Sequence, residues 1–396
     1  MKSSFATYFG VIFLLVITGG ERATPYQQRA DAARDNSQVH AIQIKRVLHS
    51  IQQHYAPDLS LAVFDISCSQ IKTGIIIRGE VDNPDAKNAV MLAIRKIVQG
   101  NIIDSIRILP DSTLGNDTLG IVIPSVADVR RKPRKQGELL TQTLMGTVVK
   151  LLKKESGFYF IQTPDHYLGW LDSASVVVFN QTGIDAWNGA SKVIVTKFTG
   201  EVHTRSNVSS AIVCEILGGC ILKYMTRKNG WAAVELADGR NGFVPDSLVQ
   251  DLDEWRRSRM PTGDNLEKTA KSFLGIRYLW GGMSVKGLDC SGFVKIVYHF
   301  NGLELPRDAR QQVLQGVPID AGKNFQNLKK GDLLFFGRKA TAKQRERITH
   351  VAMYLEDGLY IHSSRQVRLS SVKPSSDCYE ELLLKRFVCA RRILQD

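Results

Sequence analysis

A cysteine and two histidines stand out by type and spacing. Cys290 follows the glycine-rich stretch from Gly281 to Gly287, which reads as loop. It precedes Phe293, Val294, Val297 and Tyr298, apolar residues at helical spacing. The cysteine is therefore expected at a helix start, where unpaired backbone N–H groups and the positive end of the helix dipole favour the reactive thiolate. A thiolate nucleophile needs a base. The stretch ITHVAMYLEDGLYIHSS supplies His350 and His362 on either side of a hairpin turn at Glu356-Asp357-Gly358. Their separation of twelve residues is even, so on an antiparallel pair both side chains emerge on one sheet face, opposite or diagonal. The three fit nucleophile, base and orienting partner. Singly, a cysteine before a helix is usually a small buried hydrophobe, and a strand histidine a satisfied structural side chain. Their coincidence favours the catalytic reading. The spacing lacks the clustering of a zinc site, so no metal or other cofactor is expected.

Several units must position these residues. The composition, 43% hydrophobic and 23% charged over 396 residues, is that of a multidomain globular chain. Pro25 to Ser37 is polar and reads as a flexible connector. Periodicity then predicts a helix through Ile42, Ile44, Val47, Leu48 and Ile51, strands at Leu59 to Ile66 and Gly74 to Val81, a helix at Ala86 to Val98 and a strand at Ile102 to Leu109. That order is a small α/β domain, assigned to 39–112. From Ile121 to Val249 the chain repeats one pattern. Small-residue turns recur at Met145-Gly146 and Gly218-Gly219, and glycine-aromatic steps at Gly169-Trp170 and Gly242-Phe243. Short strands with regular turns predict two small β-barrels, 121–180 and 193–250, joined by a polar connector from Asn180 to Lys192. A charged linker, Asp251 to Thr262, leads to the last domain, 263–396, whose first helix Asp264 is placed to cap. The basic segment 338–347 reads as a lid or as a solvated insertion.

The chain's first residues carry a leader pattern. Lys2, an apolar run from Phe9 to Ile17 and small residues after it predict a signal peptide over 1–23, and hence an exported, periplasmic or extracellular protein. Contact with a membrane is expected only through that leader, were it uncleaved. The formal charge of +13 favours anionic partners such as envelope polymers; without a recognisable reading motif, no nucleic-acid partner is expected. Of six cysteines, Cys214 with Cys220 or Cys378 with Cys389 could bridge, and unpaired buried thiols are equally compatible.

Three resemblances follow from these motifs. The stretch GIIIRGEVDNPDAKNAVMLAIRKIVQGNIIDSIRIL resembles a BON domain. The two β repeats resemble bacterial SH3-like domains. The series YLWGG, GLDCSGF, LPRDARQQ, KKGDLLFF and the histidine hairpin resembles the NlpC/p60 cysteine peptidases, whose fold is papain-like α+β. With two SH3-like domains in front, the chain looks more narrowly like the γ-D-glutamyl-L-diamino acid endopeptidases, also called dipeptidyl-peptidase VI. The resemblance implies a cell-wall hydrolase that cuts the γ-D-Glu–diamino acid bond of peptidoglycan peptides bearing a free N-terminal L-Ala. It makes Cys290 the nucleophile, His350 the base and His362 its orienting group. It places Tyr278 beside the thiolate, and Asp289, Glu138 and Tyr167 around the substrate's amine, with Trp280 and Arg307 shaping the cleft. Trp280 as core, and Arg307 paired with Asp308 or Asp289, are the plainer readings. His166 and Ala309 depart from the family pattern, where glycine and a hydroxyl residue are usual. Two other functions remain open at this point: a wall-binding protein with a vestigial catalytic domain, and a thiol amidase or acyltransferase on another substrate.

Overall fold

The computed structural model describes residues 25–71 and 73–394; the leader expected over 1–23 lies outside them. The N-terminal unit runs α1 (Pro25–Tyr55), β1 (Phe64–Ile71), β2 (Gly74–Val81), α2 (Pro84–Ile97) and β3 (Asn101–Ile108). β1 pairs antiparallel with β2, and β2 parallel with β3. α2 is the crossover that a parallel pair requires. Ile77, Val81, Val90 and Ile94 are fully buried in its core. Two sequence expectations shift here. Pro25 to Ser37 is helix rather than connector: Pro25 stands at the first helical position, and the Ala-, Gln- and Arg-rich residues after it include no glycine. The first strand starts at Phe64 rather than Leu59, because Asp58 closes a turn by accepting from Ser60 N at 3.0 Å and Ser60 Oγ at 2.8 Å.

Two β units follow. The first contains β4 (Leu119–Val122), β5 (Val126–Arg130), β6 (Leu139–Leu144), β7 (Val148–Glu155), β8 (Phe158–Gln162), β9 (Leu168–Asp172) and β10 (Val176–Phe179). Its sheet order is β10-β4-β7-β8-β9-β5-β6. The second contains β11 (Lys192–Val195), β12 (Thr199–His203), β13 (Ile212–Leu217), β14 (Ile221–Lys228), β15 (Trp231–Glu235), β16 (Asn241–Pro245) and β17 (Val249–Asp251). Its order, β17-β11-β14-β15-β16-β12-β13, repeats the first strand for strand. Between them the expected connector is mostly helix, α3 (Gln181–Gly189): Asn180 accepts from Gly183 N, and Ile184 and Trp187 are buried.

The C-terminal unit opens with α4 (Leu252–Ser258) and α5 (Gly263–Ser272). The cap of α5 is Thr262, whose Oγ1 accepts from Asn265 N at 3.2 Å, while Asp264 turns away to pair with Lys330 at 2.9 Å. A short ribbon, β18 (Met283–Ser284) and β19 (Gly287–Leu288), precedes α6 (Cys290–Phe300) and α7 (Ala309–Gln312). The remaining elements are β20 (Val317–Ile319), β21 (Leu333–Arg338), β22 (Arg347–Tyr354), β23 (Leu359–Ser364), β24 (Gln366–Ser371), α8 (Glu381–Leu384) and β25 (Phe387–Arg392). They form an antiparallel sheet in the order β20-β25-β21-β22-β23-β24. Phe293, Val294 and Val297 of α6 are fully buried against Phe335, Val351 and Ile361 of that sheet. Among the described residues, no helix is long and apolar enough to cross a membrane.

The first β unit is fastened to α6 by a buried cation. Lys295 Nζ reaches Asp165 Oδ2 at 3.1 Å and donates to the Leu305 carbonyl, with only 11% of the lysine side chain exposed. Replacing one partner of such a pair leaves an uncompensated charge inside the protein. Asp165→Ala is expected to lower the unfolding free energy by about 3 kcal/mol in denaturant titrations. A loss below about 1 kcal/mol, the range of exposed pairs, would show that this contact does not anchor the unit.

Candidate active site

Cys290 is the first residue of α6 and only 8% exposed. Asp289 caps the helix and is saturated with donors. Its Oδ1 accepts from Gly292 N at 2.7 Å, Arg307 Nη1 at 3.1 Å and Ser291 Oγ at 3.3 Å; its Oδ2 accepts from Gly281 N at 3.0 Å and Arg307 Nη2 at 2.5 Å. The loop glycines are sterically required in two places. Gly281 has φ of 75°, and a Cβ on Gly292 would lie 2.2 Å from the Gly282 carbonyl oxygen. Burial and the Asp289 charge push the Cys290 thiol up to about 12, against the pull of the Val351 and Ser291 N–H groups and Arg307. Burial therefore outweighs the helix start and favours the thiol.

The hairpin brings the histidines together. Asp357 and Gly358 take positive φ of 53° and 82° in its turn, and β22 and β23 pair with Met353 opposite Ile361. In that register His350 and His362 are diagonal neighbours, and His350 Nε2 lies 2.8 Å from His362 Nδ1. His362 is fully buried, with Nε2 3.2 Å from Ser370 Oγ and 3.6 Å from Glu380 Oε2. Burial and the Arg386 charge pull the half-buried His350 down to about 4. Burial, His350 and Arg368 pull His362 down to about 2. Both rings are thus neutral near pH 7. If His350 Nε2–H donates to His362 Nδ1, then His362 Nε2–H can donate to Ser370, and His350 Nδ1 is the nitrogen that takes a proton. His350 immediately precedes Val351, whose N–H meets the Cys290 sulfur.

A cavity of about 710 Å³ opens over Cys290. Tyr278, Trp280 and Asp289 line it from the C-terminal unit, and Glu138 and Tyr167 from the first β unit. Trp280 is 62% exposed, so it is cleft wall rather than core, and its Nε1 donates to Glu138 Oε1 at 3.2 Å. Glu138 also pairs with Arg131 at 2.5 Å. The buried Tyr167 donates its hydroxyl to Asp308, 3.1 and 3.2 Å from the two carboxylate oxygens. Burial, with the Asp289 carboxylate and any thiolate formed at Cys290, raises the Tyr278 phenol, which stays a donor. Glu346, Arg347 and Ile348, where the basic 338–347 loop meets β22, form part of the rim. His350 lines an adjoining cleft of about 680 Å³ with Glu380 and Arg386, and Thr349 belongs to both spaces. Arg307 is the exception among the expected cleft residues. At 2% exposure it lies behind Asp289, bonded also to Thr141 Oγ1 at 2.9 Å, and cannot meet a ligand. All six cysteines are free thiols.

The profile of the NlpC/P60 family matches residues 275–392. A γ-D-glutamyl-L-lysine dipeptidyl-peptidase from Bacillus cereus is 31% identical over 252 residues, covering 60% of this chain and 71% of the relative. The chain belongs to the NlpC/P60 family of cysteine peptidases. The profile of the bacterial dipeptidyl-peptidase Sh3 domain matches residues 129–176, within the first β unit. Dipeptidyl-peptidase 6 of Lysinibacillus sphaericus is 28% identical over 270 residues, 66% of this chain and 94% of the relative. A solved NlpC/P60 family protein from Bacillus cereus shares the fold, with a TM-score of 0.58 at 24% identity over 70% of this chain and 100% of that one.

Within this NlpC/P60 site the sequence reading named Asp308 only as a possible partner of Arg307 and passed over Ser370 and Glu380. Asp308 carried a signal, since with Gln311 it forms a capping box that starts α7. Ser370 and Glu380 carried none, as their role depends on a neighbouring strand and on α8. The dependence of the Cys290 loop on Arg307 is testable. Arg307→Ala leaves the Asp289 charge buried and unpaired, so a loss of about 3–5 kcal/mol in unfolding free energy is expected. Arg307→Lys should recover little of it, because a single ammonium cannot span both oxygens. Equal stability of Arg307→Ala and the parent protein would overturn this account.

Proposed function

We propose that the chain hydrolyses peptidoglycan peptides as a γ-D-glutamyl-L-diamino acid endopeptidase that requires a free N-terminal L-Ala. The observation that carries this reading is the shared cavity, lined by Cys290 of the C-terminal unit and by Glu138 and Tyr167 of the first β unit. An ammonium group sealed among Glu138, Tyr167 and Asp308, with the Asp289 charge expected there already taken up by Arg307, would fix the distance from the amine to the sulfur at one dipeptide. An acetylated amine would lose its charge and meet polar groups left unpaired. The dipeptidyl-peptidase names of the two Bacillus-type relatives support the same substrate class. We read the second β unit as another SH3-like module and the N-terminal α/β unit as an accessory domain. Since wall peptides lie outside the cytoplasm, we place the protein in the periplasm or outside the cell.

In this mechanism the neutral Cys290 thiol attacks the γ-carbonyl carbon of D-Glu while His350 Nδ1 takes the thiol proton. The imidazolium that forms is oriented by His362. The Tyr278 hydroxyl donates to the oxyanion. His350 then returns the proton to the departing diamino acid nitrogen, the C–N bond breaks, and a thioester remains on Cys290. Water, deprotonated by His350, attacks the thioester, and L-Ala-γ-D-Glu leaves as the sulfur regains its proton. The leaving group would lie in the cleft beside His350, where Arg386 offers a cation to a carboxylate of the diamino acid.

Cys290→Ala and His350→Ala are each expected to reduce hydrolysis of L-Ala-γ-D-Glu-diamino acid peptides by at least about a thousandfold. Near-normal product by mass spectrometry from either variant would refute the assignment. The N-acetylated peptide should be cleaved at least about a hundredfold more slowly than the free one; indifference to acetylation would remove the amine pocket. The pH profile follows from burial. His350 is depressed from 6.5 to about 4, so in the folded protein its base form persists below pH 6.5, while the stability tied to the neutral ring, complete above 6.5, is lost progressively as pH falls from 6.5 to 4. The acid limb of kcat/KM is therefore expected well below 6.5; a His350 limb at or above 6.5 would contradict a buried neutral base.

A further inference from the structure

The turn that follows α1 reaches both walls of the proposed amine pocket. From the C-terminal unit, Arg310 donates to Asp58 with Nη1 at 2.8 Å and Nη2 at 2.9 Å, and Gln311 Nε2 donates to Asp58 at 2.7 Å. Ser60 Oγ accepts from Arg310 at 2.8 Å and Gln311 at 3.0 Å. From the first β unit, Leu168 N, next to Tyr167, donates to the Ser60 carbonyl at 2.8 Å, and Gln162 Nε2 to the Leu61 carbonyl at 2.9 Å. Four residues, 58–61, therefore hold the Tyr167 segment and the Asp308–Gln312 segment side by side. Tyr167 and Asp308 meet across that seam.

Arg310 lies between two carboxylates. Both its terminal nitrogens go to Asp58, and Nη2 also pairs with Asp308 at 3.1 Å. Burial opposes ionisation of Asp58, yet the bonds from Arg310, Gln311 and Ser60 hold its carboxyl well below the usual range, so it is charged throughout the physiological window. A guanidinium drawn to one carboxylate neutralises the other less.

We infer that Asp58 is a positioning residue for substrate selection: it draws the shared Arg310 guanidinium towards itself, so that Asp308 is only partly neutralised and the Asp308–Tyr167 pair stays negative enough to receive the peptide's ammonium group. The inference rests on the amine-pocket reading and extends it to the N-terminal unit, which lies ahead of the matched SH3 segment at 129–176. Without the Asp58 charge, Arg310 swings fully onto Asp308, and a cation occupies the place that the substrate's cation needs. Binding of the free amine weakens, while Cys290 and His350, in another part of the cleft, are untouched.

The test uses the full chain and L-Ala-γ-D-Glu-L-Lys. Asp58→Asn keeps the shape of the turn and removes its charge. KM is expected to rise on the order of tenfold, with kcat within about twofold, the signature of lost binding rather than lost chemistry. The double variant Asp58→Asn/Arg310→Gln is expected to recover most of that KM, because the displaced cation is gone. A merely structural clamp would instead be damaged further. Asp58→Glu, which restores the charge, should fall between the wild type and Asp58→Asn, and it serves as the readout if Asp58→Asn does not fold. An unchanged KM in Asp58→Asn, or no recovery in the double variant, overturns the inference while leaving the activity reading intact. Failure of the wild type to cleave the peptide overturns the activity reading itself.

Discussion

The site depends on one buried ion pair. Asp289 and Arg307 are 18 positions apart in the chain, and neither could sit in the interior alone without several kcal/mol of desolvation cost. Together they fix the loop on both sides of the nucleophile. The carboxylate gathers the N–H groups of Gly281 and Gly292, which sets where α6 begins, and the guanidinium extends to Ser291 and to Thr141 of the first β unit. The pair thus joins the start of the catalytic helix to the neighbouring unit that supplies the far wall of the cavity. It also explains why Asp289 raises the Cys290 thiol less than a lone carboxylate would, since Arg307 acts on the same sulfur with opposite sign.

A second constraint comes from keeping the histidine pair neutral. Two imidazoles 2.8 Å apart cannot both be charged in a dry environment, and burial depresses each. The thiol is neutral for the same reason. Burial accordingly favours the neutral forms of the cysteine and both histidines, and in the proposed mechanism charge separates only as the substrate carbonyl takes the electron pair of sulfur. Such an arrangement makes the proton transfer part of the attack. It also shields a buried thiol from reagents that react with standing thiolates.

The parts of this arrangement that are local in sequence were legible there. The Cys290 helix shows in the spacing of Phe293, Val294 and Val297, and the meeting of His350 with His362 follows from an even separation across a turn containing Asp357-Gly358. The repeat of the β units was visible in glycine and aromatic positions, and their shared strand order agrees with it. Loop assignments fared worse. Asn180 to Lys192 looked polar enough to be a connector, but a helix buries only Ile184 and Trp187, and two apolar residues in nine give little periodicity. For Arg307 the resemblance suggested the cleft, and the plainer reading, pairing with Asp289, is the one the structure has, since its burial is decided by that partner.

The contacts that were not legible share a physical character. Tyr167 with Asp308 is separated by 141 positions, and Arg310 with Asp58 by 252. Each joins a loop residue, Tyr167 or Asp58, to the start of the four-residue helix α7, which is too short for a helical period to show. Such groups become specific only after rigid units dock, because one hydrogen bond cannot offset the entropy of ordering two domains. Here docking is carried by several contacts at once: Lys295 with Asp165, Lys153 with Glu80 and Gln142 with the Met283 amide. With that cost already met, the polar groups lining the seam are held in register at little further loss of entropy. On the function proposed above, a pocket lined by two units and braced by a third owes its selectivity to the docked assembly rather than to the peptidase domain alone.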